Sequence, residues 1–285
     1  MKVVDIGIQS RVYELFGQEK YRKMYEDGFR YCDLGLSDTK KEPYNCDEEE
    51  FRRLMQEELA RAKEAGIVFS QVHGPWRYPP QDATPEDRAE RKEKMEMCFR
   101  AAKIVECPYV VIHPIMPYGT KEDPDPETMF RMNVEFFSSL IPAARENGVT
   151  ICIENMPMKM LSISPPAETL RLIEAIDDPN VAFCLDTGHS IVRGVQPGDA
   201  VRQGREYLKV LHVHDSDGVQ DRHWYPGEGA IDWADFSAAL KEVAFDGIVS
   251  MEIHTDETLP EEQYRQETRK LASIAGRLAN MTTGG

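Results

Sequence analysis

Residues 149–155 read VTICIEN and residues 181–189 read VAFCLDTGH. Each contains a short apolar run that leads to a carboxylate, Glu154 in the first and Asp186 in the second. Along the chain such runs alternate with longer amphipathic stretches, which is typical of βαβ units around a parallel sheet. Eight units are predicted. Their strands are Val3–Gln9, Phe29–Gly35, Val68–His73, Tyr109–His113, Thr150–Glu154, Val181–Asp186, Lys209–His214 and Ile248–His254.

The stretches between the strands have the period of helices. One is predicted to follow Asp47, a suitable N-cap, to place an apolar stripe from Phe51 onward, and to stop at Gly66. Further helices with the same period are predicted to begin near Pro85, Glu127, Pro165 and Pro260.

The sequence favours a closed barrel over an open sheet. The first strand leads into GIQSRVYELFG, which lacks the GxGxxG turn usual in a nucleotide-binding sheet, and GxxxxGK[ST] is also absent. Eight parallel strands joined by right-handed crossovers can close on themselves. Although 285 residues could make two domains, no composition shift marks a boundary. We therefore predict an α/β protein with a single (β/α)8 TIM barrel domain over residues 1–285.

The chain is strongly acidic. Its 34 Lys and Arg against 50 Asp and Glu give a net charge of −16, which repels polyanions and disfavours nucleic acid as a partner. We find neither a secretory signal nor an apolar run of about 18 residues, so we expect a cytoplasmic protein with no membrane partner. The six cysteines lack CxxC spacing and are expected to be reduced core residues. A homo-oligomer is left open.

The histidines are concentrated at one predicted edge. All seven fall at strand ends or in the following loops, and none in a predicted helix: 73, 113, 189, 212, 214, 223 and 254. These positions form the catalytic face of a barrel. Glu154, Asp186 and Glu252 reach the same edge, and a bound cation would remove the cost of burying their charge. One such residue alone is as easily a capping or core residue, whereas the set indicates Zn²⁺, Mn²⁺, Co²⁺ or Fe²⁺.

Eight motifs together resemble a known superfamily. They are HGP (73–75), IHP (112–114), IEN (153–155), LDTGH (185–189), HVHDSDG (212–218), DRH (221–223), PGEGAIDW (226–233) and MEIH (251–254). The pattern resembles the xylose isomerase-like barrels, which include sugar phosphate isomerases, ketose 3-epimerases, inosose-processing enzymes and endonuclease IV. The resemblance covers residues 67–254, and it is specific for the superfamily but weak for the substrate.

Resemblance to the sugar epimerases implies one divalent metal, Mn²⁺, Mg²⁺, Co²⁺ or Zn²⁺, held by Glu154, Asp186, His212 and Glu252. The two glutamates would also act as acid and base on either face of a carbon next to a carbonyl, while the metal polarises the carbonyl and stabilises the enediolate. The residues expected to bind the substrate are His73, Trp76, His113, His189 and Arg222.

Resemblance to endonuclease IV implies a larger ligand set with three zinc ions. Its nine ligands match His73, His113, Glu154, Asp186, His189, His212, Asp221, His223 and Glu252. A phosphodiesterase would use several ions to clamp the attacking and leaving oxygens. However, the loops after His73 and His113 carry few basic and many acidic residues, so they fit small substrates better than a DNA duplex.

Other residues are expected to support the site. Trp76 and Tyr118 could form an apolar platform over a sugar ring, although loop packing explains them equally. His214 and His254 follow ligand positions by two residues, so they point to the same side and are expected to orient ligands.

The sequence predicts a metal-dependent isomerase or epimerase acting on a sugar, sugar phosphate or polyol ketone. The ketose 3-epimerases carry an arginine shortly after the strand-seven histidine, where this chain has Asp217 and Gly218, so epimerisation of a free ketose at C3 is not specifically indicated. The alternatives are a metal-dependent lyase or dehydratase on a keto-sugar, a zinc phosphodiesterase of the endonuclease IV type, and a non-catalytic metal-binding protein.

Overall fold

The structure is a computed structural model that describes residues 5–40, 43–76 and 80–283. Eight parallel strands form one sheet with the neighbour order β7-β6-β5-β4-β3-β2-β1-β8. The strands are β1 Asp5–Gln9, β2 Tyr31–Gly35, β3 Val68–His73, β4 Tyr109–Ile112, β5 Thr150–Glu154, β6 Val181–Asp186, β7 Leu208–His212 and β8 Ile248–Met251. Residues 3 and 4 of the predicted first strand lie outside the described residues.

The sheet closes between β7 and β8. Just past the end of β7, the N–H of Val213 donates to the carbonyl of Ser250 (2.8 Å), and the carbonyl of Val213 accepts from the N–H of Glu252 (3.1 Å). A parallel bridge also joins Val213 to Met251. The predicted single (β/α)8 barrel is therefore confirmed, and the carboxyl ends of all eight strands lie at one rim.

The helices lie between the strands and carry the predicted caps. Asp47 accepts a hydrogen bond from the N–H of Glu50 (2.9 Å), and the following helix ends at Gly66, whose φ of 77° is in the left-handed region that glycine tolerates. The helices are α1 Lys20–Asp27, α2 Glu48–Ala65, α3 Pro85–Ile104, α4 Pro126–Asn147, α5 Pro166–Ile176, α6 Thr187–Val192, α7 Pro197–Gly204, α8 Trp233–Glu242 and α9 Glu261–Thr283.

Three predicted strands run past the observed ends, to His113 in β4, to His214 in β7 and to His254 in β8. At His214 and His254 the backbone leaves the strand ladder. The N–H of His214 donates to Thr187 Oγ1 (3.0 Å), and the N–H of His254 donates to the carbonyl of His223 (3.3 Å). The chain therefore turns into its loops earlier than predicted.

The expectation that no histidine lies in a helix was wrong for His189. It belongs to α6, a six-residue helix that starts directly after β6. The Asp186 carboxylate caps this helix by accepting from the N–H of His189 (2.6 Å). Such a short helix gives no amphipathic period, which is why the sequence did not reveal it.

All six cysteines are free, and five of them are buried. Within the described ranges, no helix is both long and apolar enough to cross a membrane.

Candidate active site

Four predicted ligands meet at the carboxyl rim of the barrel. Glu154, Asp186 and His212 are the last residues of β5, β6 and β7, and Glu252 directly follows β8. One oxygen or nitrogen atom from each lies within 4.8 Å of those of the other three. Because the apolar strand residues before them are buried in the core, the backbone fixes where each polar side chain emerges. The fold therefore brings together residues as far apart in sequence as 154 and 252.

The contacts within this set resemble those of ligands around a shared ion. His212 Nδ1 lies 3.1 Å from Glu252 Oε2 and 3.3 Å from Glu154 Oε1. Even so, both ring nitrogens of His212 and Glu252 Oε2 are buried with no hydrogen-bond partner among the described residues. Buried polar atoms are rarely left unpaired, and a divalent cation between these side chains would bind His212 Nδ1 and Glu252 Oε2, while His212 Nε2 faces Asp33 (3.5 Å). The donor set therefore fits a metal such as Mn²⁺, Co²⁺ or Zn²⁺.

The charges of these residues depend strongly on one another. Burial alone would raise the pKa of Glu154, but the charges of His212 and His113 hold it well below its ordinary value. Burial would lower the pKa of His212, but the nearby carboxylates of Glu252 and Glu154 contribute to raising it well above its ordinary value. The pocket thus favours the ionised form of Glu154 through positive charge beside it, which either protons or a metal can supply.

Glu154 also belongs to a second group of possible ligands. His113 Nε2 lies 2.9 Å from Glu154 Oε2, and His73 Nε2 lies 3.6 Å from the same oxygen. The rings of His73 and His212 stack with centroids 5.5 Å apart. One ligand atom each of His73, Glu154 and His212 lies within 4.8 Å of the others.

A third group lies beside the first. Asp221 Oδ2 is 3.3 Å from His189 Nε2 and 3.2 Å from His223 Nε2, and His214 completes the group. His223 has a φ of 51°, which is uncommon for a residue with a side chain and places its ring between those of His214 and His254, with centroids 4.0 and 4.1 Å away. Eight of the nine residues of the larger predicted set therefore lie in three adjoining groups, and the ninth, His113, contacts Glu154.

His214 contacts a member of the first group directly. Its Nε2 lies 3.0 Å from Asp186 Oδ2, as expected for a residue that orients a ligand. Gly188 makes this contact feasible, because a Cβ there would lie 1.9 Å from the His214 ring. The glycine of LDTGH therefore leaves room for the second histidine of HVHDSDG.

A cavity of about 300 Å³ opens above these groups and could hold a small molecule. Trp76 and His254 line it, and the Trp76 ring packs edge-on against His113 with centroids 4.5 Å apart. Two other predicted residues lie elsewhere. Arg222 does not line this cavity but binds Asp217 (2.9 Å), and Tyr118 lines a separate cavity with Pro80 and Lys121.

Three residues that support the site, two aspartates and one asparagine, were not predicted. Asp33 in β2 is buried, and its Oδ2 lies 3.5 Å from His212 Nε2, so it can orient that ring. Asn155 bonds both backbone polar groups of Asp186 (2.9 and 3.0 Å). Asp215 accepts from Trp233 Nε1 and the N–H of Gly227, both at 2.8 Å, and holds the PGEGAIDW loop. Each of these residues interrupts or follows an apolar strand, and this position was the only feature of the sequence that could have indicated it.

Comparison with known proteins places the chain in a family. Residues 21–274 match the model of the xylose isomerase-like TIM barrel. An uncharacterized protein of Methanocaldococcus jannaschii is 30% identical over 205 residues, which are 68% of this chain and 67% of that one. An inosose isomerase of Halalkalibacterium halodurans is 26% identical over 166 residues, covering 56% of this chain and only 57% of the relative.

A solved structure of D-psicose 3-epimerase in the presence of D-fructose has the same fold. It superposes with a TM-score of 0.79 over 99% of this chain and 100% of that chain, at 17% identity. The family match extends over most of the barrel, from residue 21 in α1 to residue 274 in α9. The chain therefore belongs to the xylose isomerase-like TIM barrel family.

Proposed function

We propose that the protein is a divalent-metal-dependent isomerase or epimerase of a sugar or a polyol ketone. The observation that carries the proposal is the convergence of Glu154, Asp186, His212 and Glu252 below a cavity that both glutamates line. The isomerase and epimerase relatives of the family support the reaction class. The acidic surface and the small cavity favour a small, uncharged or weakly charged substrate.

The four residues that converge would hold the metal. A divalent cation bound there would polarise the substrate carbonyl and make the neighbouring C–H more acidic. Glu154 and Glu252 are placed to remove and return that proton, because both combine ligand atoms in the first group with a position in the cavity wall. His113, 2.9 Å from Glu154 Oε2, can exchange a proton with this glutamate.

The side chains around the cavity would orient the substrate. His189 and His73 present polar nitrogen atoms, and Trp76 supplies an apolar surface that suits the C–H face of a sugar ring. Arg222 lies outside the cavity wall and would contact the substrate only after leaving Asp217.

A second candidate function is a zinc phosphodiesterase. It is favoured by one specific observation, namely that the second and third groups place His73 and His113 beside Glu154, and His189 and His223 beside Asp221. Such a site could hold more than one ion. The high negative charge of the chain opposes this function, because a DNA-binding surface needs cationic side chains.

We expect Glu154→Gln and Glu252→Gln each to reduce kcat on an active sugar by about 10²–10⁴-fold, because neither amide can transfer the proton. Turnover and incorporation of solvent deuterium would be followed by NMR in D₂O, and metal content would be measured for each variant. Glu228→Gln, at an exposed loop residue, is the matched control. Metal-loaded glutamine variants with full turnover would contradict the mechanism.

Metal removal should make stability depend on pH. Burial alone would lower the pKa of His223. The hydrogen bond with Asp221 and the charge of Glu252 nevertheless raise this pKa to about 9. Since the unfolded value is about 6.5, protonated His223 stabilises the fold below that pH, and this stabilisation is lost as the pH rises through 9. In urea unfolding, the metal-free protein should therefore lose stability between pH 6.5 and 9.

The Mn²⁺-loaded protein should have a higher Tm and a smaller loss over this interval, because a cation bound to Glu252 would offset the negative charge that helps to raise the pKa of His223. His223→Gln in the metal-free protein serves as the control and should flatten the dependence. This prediction would be contradicted if the metal-free protein gained stability from pH 6.5 to 9, or if Mn²⁺ left the Tm unchanged.

Metal counting separates the two candidate functions. We expect elemental analysis of the active enzyme to find one ion per chain, and no nicking of DNA that contains abasic sites. Asp221→Asn would disturb the third group but none of the residues of the first. Three zinc ions per chain, together with nicking that this variant abolishes, would establish the phosphodiesterase instead.

A further inference from the structure

A larger cavity, which we name the side cleft, adjoins the metal pocket. Its volume is about 720 Å³, and it lies between the segment after β1, the loop after β2, and α2. Four residues, Ser10, Arg11, Gly35 and Ser37, line both cavities. The side cleft therefore shares part of its wall with the pocket in which we place the reacting sugar.

One wall of the side cleft is aliphatic. Leu34, Leu36 and Met55 form its buried part, Leu54 is half-buried, and Leu15 is 47% exposed. An exposed leucine beside such a wall leaves an apolar surface open to a ligand. The C–H face of a sugar ring is also apolar and could pack against this wall.

The side cleft also contains carboxylates that the protein holds in fixed positions. Lys20 is only 6% exposed, and its Nζ lies 3.0 Å from Glu14 Oε1 and 3.3 Å from Glu58 Oε2. Tyr21 also donates to Glu58 (2.5 Å). Arg61 also donates to Glu58, so the oxygens of this carboxylate are already paired within the protein. Glu14 is 56% exposed, and because the Lys20 ammonium holds it in place, its remaining lone pairs can accept hydrogen bonds from a ligand without first being ordered.

The charge of the side cleft indicates whether its ligand is anionic or neutral. Among the described residues that line it, two cations, Arg11 and Lys20, face four carboxylates, those of Glu14, Asp38, Glu58 and Glu257. This excess of negative charge repels a phosphate group. Neutral hydroxyl groups, in contrast, donate readily to carboxylates.

We propose that the side cleft binds a glycosyl group, so that the substrate is a glycoside of a keto-sugar and not a free monosaccharide. This inference rests on the proposed function, because it places the keto-sugar unit at the metal pocket. The attached sugar extends past Ser10 and Ser37 into the side cleft, with one face on the leucines and its hydroxyls on Glu14. A monosaccharide would leave the larger cavity unfilled.

The test is calorimetric binding to the Mn²⁺-loaded protein. The ligands are D-fructose, fructose 6-phosphate, and four glucosyl-fructose disaccharides that differ in the linked hydroxyl: turanose, maltulose, leucrose and isomaltulose. We expect at least one disaccharide to bind about tenfold or more tightly than D-fructose, and fructose 6-phosphate to bind no better than D-fructose.

Two variants locate the second sugar. Leu15→Trp should fill the side cleft and Glu14→Gln should weaken its acceptors, so each should remove the advantage of the disaccharide and leave the affinity for D-fructose unchanged. Val68→Trp is the matched control, because Val68 is equally exposed but begins β3 at the opposite end of the barrel. It should change neither affinity.

The outcomes distinguish the two proposals. Equal affinity for D-fructose and every disaccharide, tightest binding of fructose 6-phosphate, or a disaccharide advantage that survives Leu15→Trp would each overturn the glycoside proposal alone. If no sugar binds in a Mn²⁺-dependent way and none exchanges a proton with D₂O, the proposed function fails, and the glycoside proposal fails with it.

Discussion

Repulsion among buried carboxylates is the constraint on which the site depends. Glu154 and Asp186 are almost fully buried, and Glu252 adds a third carboxylate within the same group. Three such charges cannot remain together in a low-dielectric interior without compensation. The surrounding histidines can supply protons, but they leave several polar atoms unpaired. A divalent cation would compensate the charge and would bind two of these atoms, His212 Nδ1 and Glu252 Oε2, which is why we place a metal at the centre of the function.

The barrel fold brings the proposed ligands of this cation close together. Parallel strands deliver their last residues to one rim, so ligands separated by almost one hundred positions in sequence converge without long loops. Residues around them then fix their orientation: Asn155 bonds the backbone of Asp186, and Asp33 faces the far side of the His212 ring. Rigid strands and their neighbours thus hold a site in which charges oppose one another.

Sequence alone predicted what is encoded locally. Apolar runs gave the strands, Asp47 and Gly66 gave the limits of one helix, and strand-end carboxylates and histidines, together with the family resemblance, gave the candidate ligands that the fold brings together. Contacts made by loops were not accessible in this way. Arg222 points to Asp217, and the side cleft forms between segments whose spacing carries no periodic signal. Asp33 was missed because it interrupts an apolar strand without belonging to a recognised motif.

The central claim is that Glu154, Asp186, His212 and Glu252 share one divalent cation. The most direct measurement is anomalous diffraction at the zinc edge from crystals of the protein soaked in Zn²⁺. We predict a peak about 2.0–2.2 Å from an oxygen or nitrogen atom of each of these residues. Saturated crystals whose zinc peaks all lie elsewhere, with these four side chains hydrogen-bonded to one another or to water, would contradict the claim.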